Sequence, residues 1–293
     1  MLDYVEPLFR PPSEARSLIF QITIGCSQNH CTFCGMYKGK RFCVKPLEEV
    51  LGEIDSIPLR FRPHVDRVFL ADGDALVYPF DGLTRILDHL AATFPTLTRI
   101  GSYASPASLA GKSPEELSVL RQKKLRILYF GLESGDTVTL AAINKGFNAD
   151  EMAVQVLKAR GAGMKLSVTA ILGLAGRERS LEHAGGTAAW VNRVNPEYFS
   201  LLTLFHRHND AFIRTIHQCT RGELLLEARE IVAGLHPEKT ILRSNHVSNF
   251  LNLAGSYPKD RERLIREVDA AIASAGRMPG YKDSTPEYSE EYY

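Results

Sequence analysis

Cys26, Cys31 and Cys34 fall within nine positions, as C-x4-C-x2-C in "GCSQNHCTFCGM", directly after the apolar run Leu18 to Ile24. A short loop carrying three thiolates can wrap one metal centre, and thiolate suits zinc or iron–sulfur. A structural zinc site asks for a fourth ligand, which Cys43 is near enough in sequence to supply. Three ligands on a four-iron cubane instead leave one iron open, and an open position is what a reactive centre needs. The chain has 5 cysteines in all. An odd count, behind an N-terminus that lacks the basic start and apolar core of a secretory signal, argues for reduced thiols rather than a disulfide framework.

Elements able to position such a loop follow from hydrophobic periodicity. Apolar, β-branched runs of strand length occur at Leu18 to Ile24, Arg67 to Ala71, Arg99 to Ala104, Leu125 to Phe130, Leu166 to Leu172 and Tyr198 to Phe205. Helical periodicity fills the gaps at Pro46 to Ile57, Pro79 to Phe94, Pro114 to Lys123, Asp150 to Ala162 and Ser180 to Val194. Ser113-Pro114-Glu115-Glu116 and Asp150-Glu151 carry helix-start chemistry, and Gly161 and Gly163 stop the fourth helix. Strict β-α alternation predicts an α/β fold with a parallel sheet, here a partial (β/α)6 TIM-like barrel over residues 18–205. An N-terminal arm (1–17) precedes it. A mainly helical C-terminal extension (206–275), interrupted by the extended stretch "TILRSNHVSNFLNL", would cover the barrel, and a polar tail (276–293) is expected to be flexible.

With the cysteines on the loop after the first strand, at the face where such barrels hold their chemistry, the sequence resembles the radical S-adenosylmethionine (SAM) superfamily. It keeps "CTFC", with an aromatic before the last cysteine, while its first gap, "SQNH", is one residue longer than usual. The resemblance implies that Cys26, Cys31 and Cys34 bind a [4Fe-4S] cluster whose fourth iron is chelated by SAM, and that SAM is cleaved to a 5′-deoxyadenosyl radical that abstracts hydrogen from an organic substrate. "FLADGDAL" matches the family's "GGE" position, so Gly73 and Asp74 are expected beside the SAM amino group. "GLESG" followed by "NKG" is similar to the branch containing oxygen-independent coproporphyrinogen oxidases and methylthiotransferases, which implies that Glu133, assisted by Ser134, meets the ribose. In "LKARGAG", Arg160 matches an arginine that meets the SAM carboxylate. "AILGLAG" is similar to the "GLPG" turn, placing Gly173 and Leu174, with Phe33, on the adenine side.

Past the barrel, His206 and His208 in "LFHRHND" and Arg243, Asn245, His246 and Asn249 in "RSNHVSNF" are expected either at the barrel mouth as substrate contacts or in a satisfied hydrogen-bond cluster. His206, Arg243 and His246 are the candidates for catalysis. The remaining two cysteines are too few for a second thiolate-bound cluster, and no cobalamin-binding or tRNA-binding domain is expected around the barrel. Lys+Arg 35 against Asp+Glu 34 gives a net charge of +1, which disfavours a nucleic-acid partner, and "RQKKLR" reads as a solvated face. No run approaches the ~18 apolar residues of a membrane span, so a cytoplasmic protein is expected. Its partners would be a small or medium organic substrate and an electron donor such as flavodoxin or ferredoxin. Two other classes stay open: a non-catalytic iron–sulfur or haem carrier on the same fold, and a zinc-stabilised binding protein.

Overall fold

The structure, a computed structural model, describes residues 2–205, 209–246 and 248–286. The chain divides into two compact units: Met1–Asn29 with Met36–Phe130 and Val154–Leu166, and His30–Gly35 with Gly131–Ala153 and Ser167–Tyr293.

In the first unit, β1 (Leu18–Gln21), β4 (Arg67–Ala71), β5 (Arg99–Ala104) and β6 (Leu125–Glu133, which runs on into the second unit) pair parallel in that order. Strands buried on both faces read as continuous apolar runs, which is why "VFLA" of β4 is wholly buried. The first apolar run does not stay in one strand. After Ile22 it turns away as β2 (Thr23–Ile24), which pairs antiparallel with β3 (Cys43–Val44), Ile24 lying opposite Cys43. This ribbon ties together the two ends of the loop that carries the three cysteines. The crossovers hold α1 (Leu47–Asp55), α2 (Phe80–Thr93), α3 (Pro106–Ala110) and α4 (Pro114–Gln122). Helix α4 begins with the expected device: the Ser113 hydroxyl accepts from the Glu116 amide while the Glu116 carboxylate accepts from the Ser113 amide. Phe20, Phe69, Phe94 and Phe130 are fully buried and fill the core of this unit.

The second unit holds α5 (Thr137–Ala142), part of α6 (Ala149–Gly161), most of β7 (Lys165–Leu172), α7 (Ser180–Val194), β8 (Tyr198–Thr203), α8 (Asp210–Ile213) and α9 (Arg221–Gly234). It ends with β9 (Thr240–Arg243), β10 (Ala254–Tyr257), α10 (Arg261–Gly276) and α11 (Pro279–Lys282). β7, β8 and β9 pair parallel, and β10 closes the edge antiparallel to β9. The fold is α/β, and its eight-stranded, mostly parallel sheet has the strand order of a partial (β/α)6 barrel, β1-β4-β5-β6-β7-β8, continued by β9 and β10.

The stretch 240–253 begins as β9 and leads to β10, so the C-terminal extension holds strands as well as helices. Within residues 276–293, α11 forms, and Arg221 of α9 lies over the Tyr281 ring at 5.0 Å from the centroid. Among the described residues no helix is long and apolar enough to cross a membrane.

Candidate functional site

In the first unit the triplet Asp72-Gly73-Asp74 after β4 clamps the start of the cysteine loop. The buried Asp72 carboxylate accepts from the Gly25 amide at 3.0 Å and pairs with Lys40 at 2.8 Å. Asp74, also fully buried, accepts from the Ser27 hydroxyl and from the Ser105 amide and hydroxyl at 3.0 and 2.7 Å. Burial raises the Asp74 pKa against the pull of those donors. Between the two carboxylates, Gly73 touches Cys26: the Cys26 thiol donates to the Gly73 carbonyl at 3.7 Å, and the Gly73 amide donates to Gly25 O at 3.1 Å. A Cβ at Gly73 would sit 2.6 Å from the Tyr37 ring and 2.8 Å from Cys26 Cβ, so only glycine fits.

In the second unit the other two cysteines are held from the "NKG" side. Thr32 N donates to Ile143 O at 2.9 Å and Asn144 Nδ2 to His30 O at 3.2 Å. Cys31 is buried and Cys34 half-buried. The Phe33 ring packs edge-on against Phe212 of α8, centroids 6.5 Å apart, and the Phe33 carbonyl accepts from Asn209 Nδ2 at 2.9 Å. Glu133, the last residue of β6, has φ +65, a left-handed conformation uncommon for a residue with a Cβ. Its carboxylate pairs with Lys145 of "NKG" at 3.0 Å, and Gly131 leaves the space its Oε1 occupies. Ser134 is fully buried; its hydroxyl lies 2.8 Å from His183 Nδ1 and accepts from the Asp136 amide at 3.0 Å. His183 Nε2 faces Glu227 Oε1 at 3.6 Å, and Glu227 in turn accepts from the Gly173 amide at 2.7 Å and from the Ser180 hydroxyl. These buried polar groups lie between the turn after β6 and the turn after β7, where Gly173 has φ +79 and Leu174 is buried. Asp136 caps α5 and accepts from Nε and Nη2 of Arg179 at 2.9 and 3.0 Å. Burial raises the Asp136 pKa, but the Arg179 and Thr139 hydrogen bonds outweigh it and hold it at about 2.

All five cysteines carry reduced thiols. Among the described residues no three His, Cys, Asp or Glu side chains converge as the ligands of a single ion would. A cubane takes each thiolate on a different iron, so its ligands need not meet at one point. The donor set of three cysteines on one loop fits it. Of the two remaining cysteines, Cys43 is exposed on β3, and Cys219 is buried, its pKa pushed up to about 12 by that burial with Glu227 and Glu223 nearby.

The sequence matches the radical SAM superfamily over residues 20–184, more than half of the chain. The chain belongs to that superfamily. Radical SAM proteins bind a [4Fe-4S] cluster and SAM, and the matched span contains all three loop cysteines and every element from β1 to the start of α7. No curated protein matches the sequence. Among solved structures, the radical SAM chain is similar to coproporphyrinogen III oxidase (HemN) from Escherichia coli, with 17% identity and TM-score 0.55 over 74% of this chain and 51% of that one. It is also similar to methylornithine synthase (PylB), at 14% identity and TM-score 0.52 over 94% of this chain and 84% of that one. HydG, a maturase of the [FeFe]-hydrogenase, gives 16% identity and TM-score 0.52 over 86% and 54%. These likenesses concern the fold. The chain spans about half the length of HydG and of HemN.

The remaining radical SAM candidates are placed as follows. Arg160 is half-buried on the last turn of α6. Arg243 ends β9, exposed, its guanidinium donating to its neighbour's carbonyl, Leu242 O, at 3.0 Å. His246 lies in the hydrogen-bond cluster that was one of its two expected settings: its Nδ1 is 2.8 Å from Ser248 Oγ, which also accepts from Thr203 N at 3.1 Å. Burial lowers the His246 pKa. Asn249 joins the same cluster through Thr203 Oγ1 at 2.8 Å and Leu201 O at 2.7 Å. His206 and His208 lie outside the described residues. Sequence reasoning missed Lys145, His183, Asn209 and Glu227. Glu227 had a signal, since it interrupts the buried stripe Leu224, Ala228, Ile231 of α9 with a carboxylate.

Proposed function

We propose that the chain is a radical SAM enzyme whose Cys26, Cys31 and Cys34 hold the cluster, and whose substrate is a small or medium-sized organic molecule. When bound, the reduced cluster and SAM supply a 5′-deoxyadenosyl radical, using one electron from a donor such as flavodoxin or ferredoxin. The observation that carries this reading is the set of three reduced cysteines on one loop, clamped by Asp72 and Asp74, with a glycine packed against Cys26 where no side chain fits.

With Cys26 holding the cluster as a thiolate, its bond to the Gly73 carbonyl would be lost, and that carbonyl would be the acceptor for the SAM amino group. The Glu133 carboxylate, held by Lys145, accepts from ribose hydroxyls. Arg160 supplies a charge for the SAM carboxylate. The backbone of Gly173 and Leu174, fixed by Glu227, lines the adenine side together with Phe33. Arg243 and His246 are the candidates for contact with the substrate.

Anaerobic reconstitution of the wild type and of single alanine variants at each cysteine tests the ligand set. About four irons per chain and broad absorption near ~400 nm are expected for the wild type and for Cys43→Ala and Cys219→Ala, with loss of iron in Cys26→Ala, Cys31→Ala and Cys34→Ala. A colourless wild type containing zinc, or loss of iron in Cys43→Ala, refutes the assignment.

A further inference from the structure

Asn209 precedes α8 and is only 5% exposed. Its Nδ2 donates to two carbonyls, Phe33 O at 2.9 Å and Phe205 O at 3.0 Å. Two carbonyl acceptors fix the amide's orientation, because the flipped amide would set Oδ1 against both oxygens. Oδ1 is therefore an acceptor with no rotational choice. It is buried, and among the described residues no donor reaches it. Leaving a buried acceptor unpaired costs about 1–3 kcal/mol, so a native structure normally brings a donor to it.

The surroundings define what kind of donor. The amide is bonded to the backbone between Cys31 and Cys34, at the residue whose ring packs on Phe212. An oriented acceptor beside an aromatic pair suits a flat heteroaromatic ring bearing an exocyclic N–H, which rests on apolar surface while its amino group is read by the amide. SAM contains few N–H donors. Its α-ammonium is assigned to the cluster iron and the Gly73 carbonyl, which leaves the amino group of the adenine.

We propose that Asn209 Oδ1 accepts a hydrogen bond from the exocyclic amino group of the SAM adenine and makes the site selective for a 6-aminopurine nucleoside. The inference rests on the cofactor reading above. Both N–H groups of the amide are already engaged by the backbone, so the acceptor's orientation is fixed before binding.

The test compares S-adenosylhomocysteine with S-inosylhomocysteine, in which a carbonyl oxygen replaces the amino group and sets an acceptor against Oδ1. Dissociation constants are measured on the cluster-loaded protein by equilibrium dialysis, together with iron content. The wild type is expected to prefer the adenosyl compound by about 10- to 100-fold. Asn209→Ala should keep its iron and bring the two constants within about twofold, the collapse being specific to the amino group. Equal binding of the two compounds by the wild type overturns the proposal without recourse to any variant. An unchanged preference in Asn209→Ala overturns it as well, while leaving the cofactor reading intact. Failure of the cluster-loaded wild type to bind the adenosyl compound at all removes both.

Discussion

Alanine at position 135 would drive a methyl into another backbone. Gly135 lies in the turn after β6, and a Cβ there would stand 2.2 Å from Gly186 O, 2.3 Å from Gly186 C and 2.5 Å from Thr187 N of α7. Ordinary contact begins near 3.4 Å. Neither partner is a flexible side-chain end, so the turn and the helix must part by roughly 1 Å in a close-packed interior. Overpacking of this kind costs about 1–3 kcal/mol. The separation also threatens the bond from the Gly135 amide to Thr187 Oγ1, now 3.0 Å, worth about 1 kcal/mol. Gly135→Ala should therefore lose about 2–4 kcal/mol, a drop in Tm of about 4–16 °C. Two neighbours calibrate it. Gly185 sits in the interior of α7 with nothing within 4 Å of where a methyl would stand, so Gly185→Ala should gain about 1 kcal/mol through helix propensity. Gly186→Ala gains the same propensity but meets Gly135 O at 2.8 Å, so it should fall between the two. Urea midpoints and thermal melts of the cluster-loaded proteins give the order. A Gly135→Ala protein as stable as wild type, or a Gly185→Ala protein as damaged as Gly135→Ala, refutes the packing argument.

Gly73→Ala should reduce iron retention and stability together, by about 1–3 kcal/mol, because its methyl displaces Tyr37 or Cys26; wild-type iron content and Tm contradict this. Asp136 has a folded pKa of about 2, below its unfolded value, so its stabilisation is present above about pH 4 and is lost as pH falls toward 2. Asp136→Asn should accordingly be less stable than wild type by about 2 kcal/mol at pH 7, with the difference shrinking below about pH 4 in urea titrations; a difference independent of pH contradicts the assignment. His246→Gln and Arg243→Ala should retain iron and SAM binding while turnover falls, and unchanged turnover removes those two residues from the substrate side.

The sequence displayed the barrel strands because strands covered on both faces are written as unbroken apolar runs, and α7 was bounded correctly from periodicity alone. Helices α3 and α5, of 5 and 6 residues, are too short for a period to register, and the 4-residue strands β9 and β10 sit in polar surroundings. The cysteines were legible for a local reason: three ligands share one loop. The supporting groups were not, because each meets a partner far along the chain, Ser134 with His183, Gly173 with Glu227, Phe33 with Asn209, and no local spacing encodes such a meeting. "GLESG" was informative as a unit, yet its members divide the work: Glu133 is held by Lys145, Ser134 is bonded to His183, and Gly135 lets α7 approach.

Reductive cleavage of SAM tests the central claim most directly. The cluster-loaded wild type, reduced with dithionite under anaerobic conditions, should convert SAM to methionine and 5′-deoxyadenosine, and Cys31→Ala should form neither. A fully loaded wild type that yields no 5′-deoxyadenosine at saturating SAM contradicts the account and leaves a cluster carrier in its place.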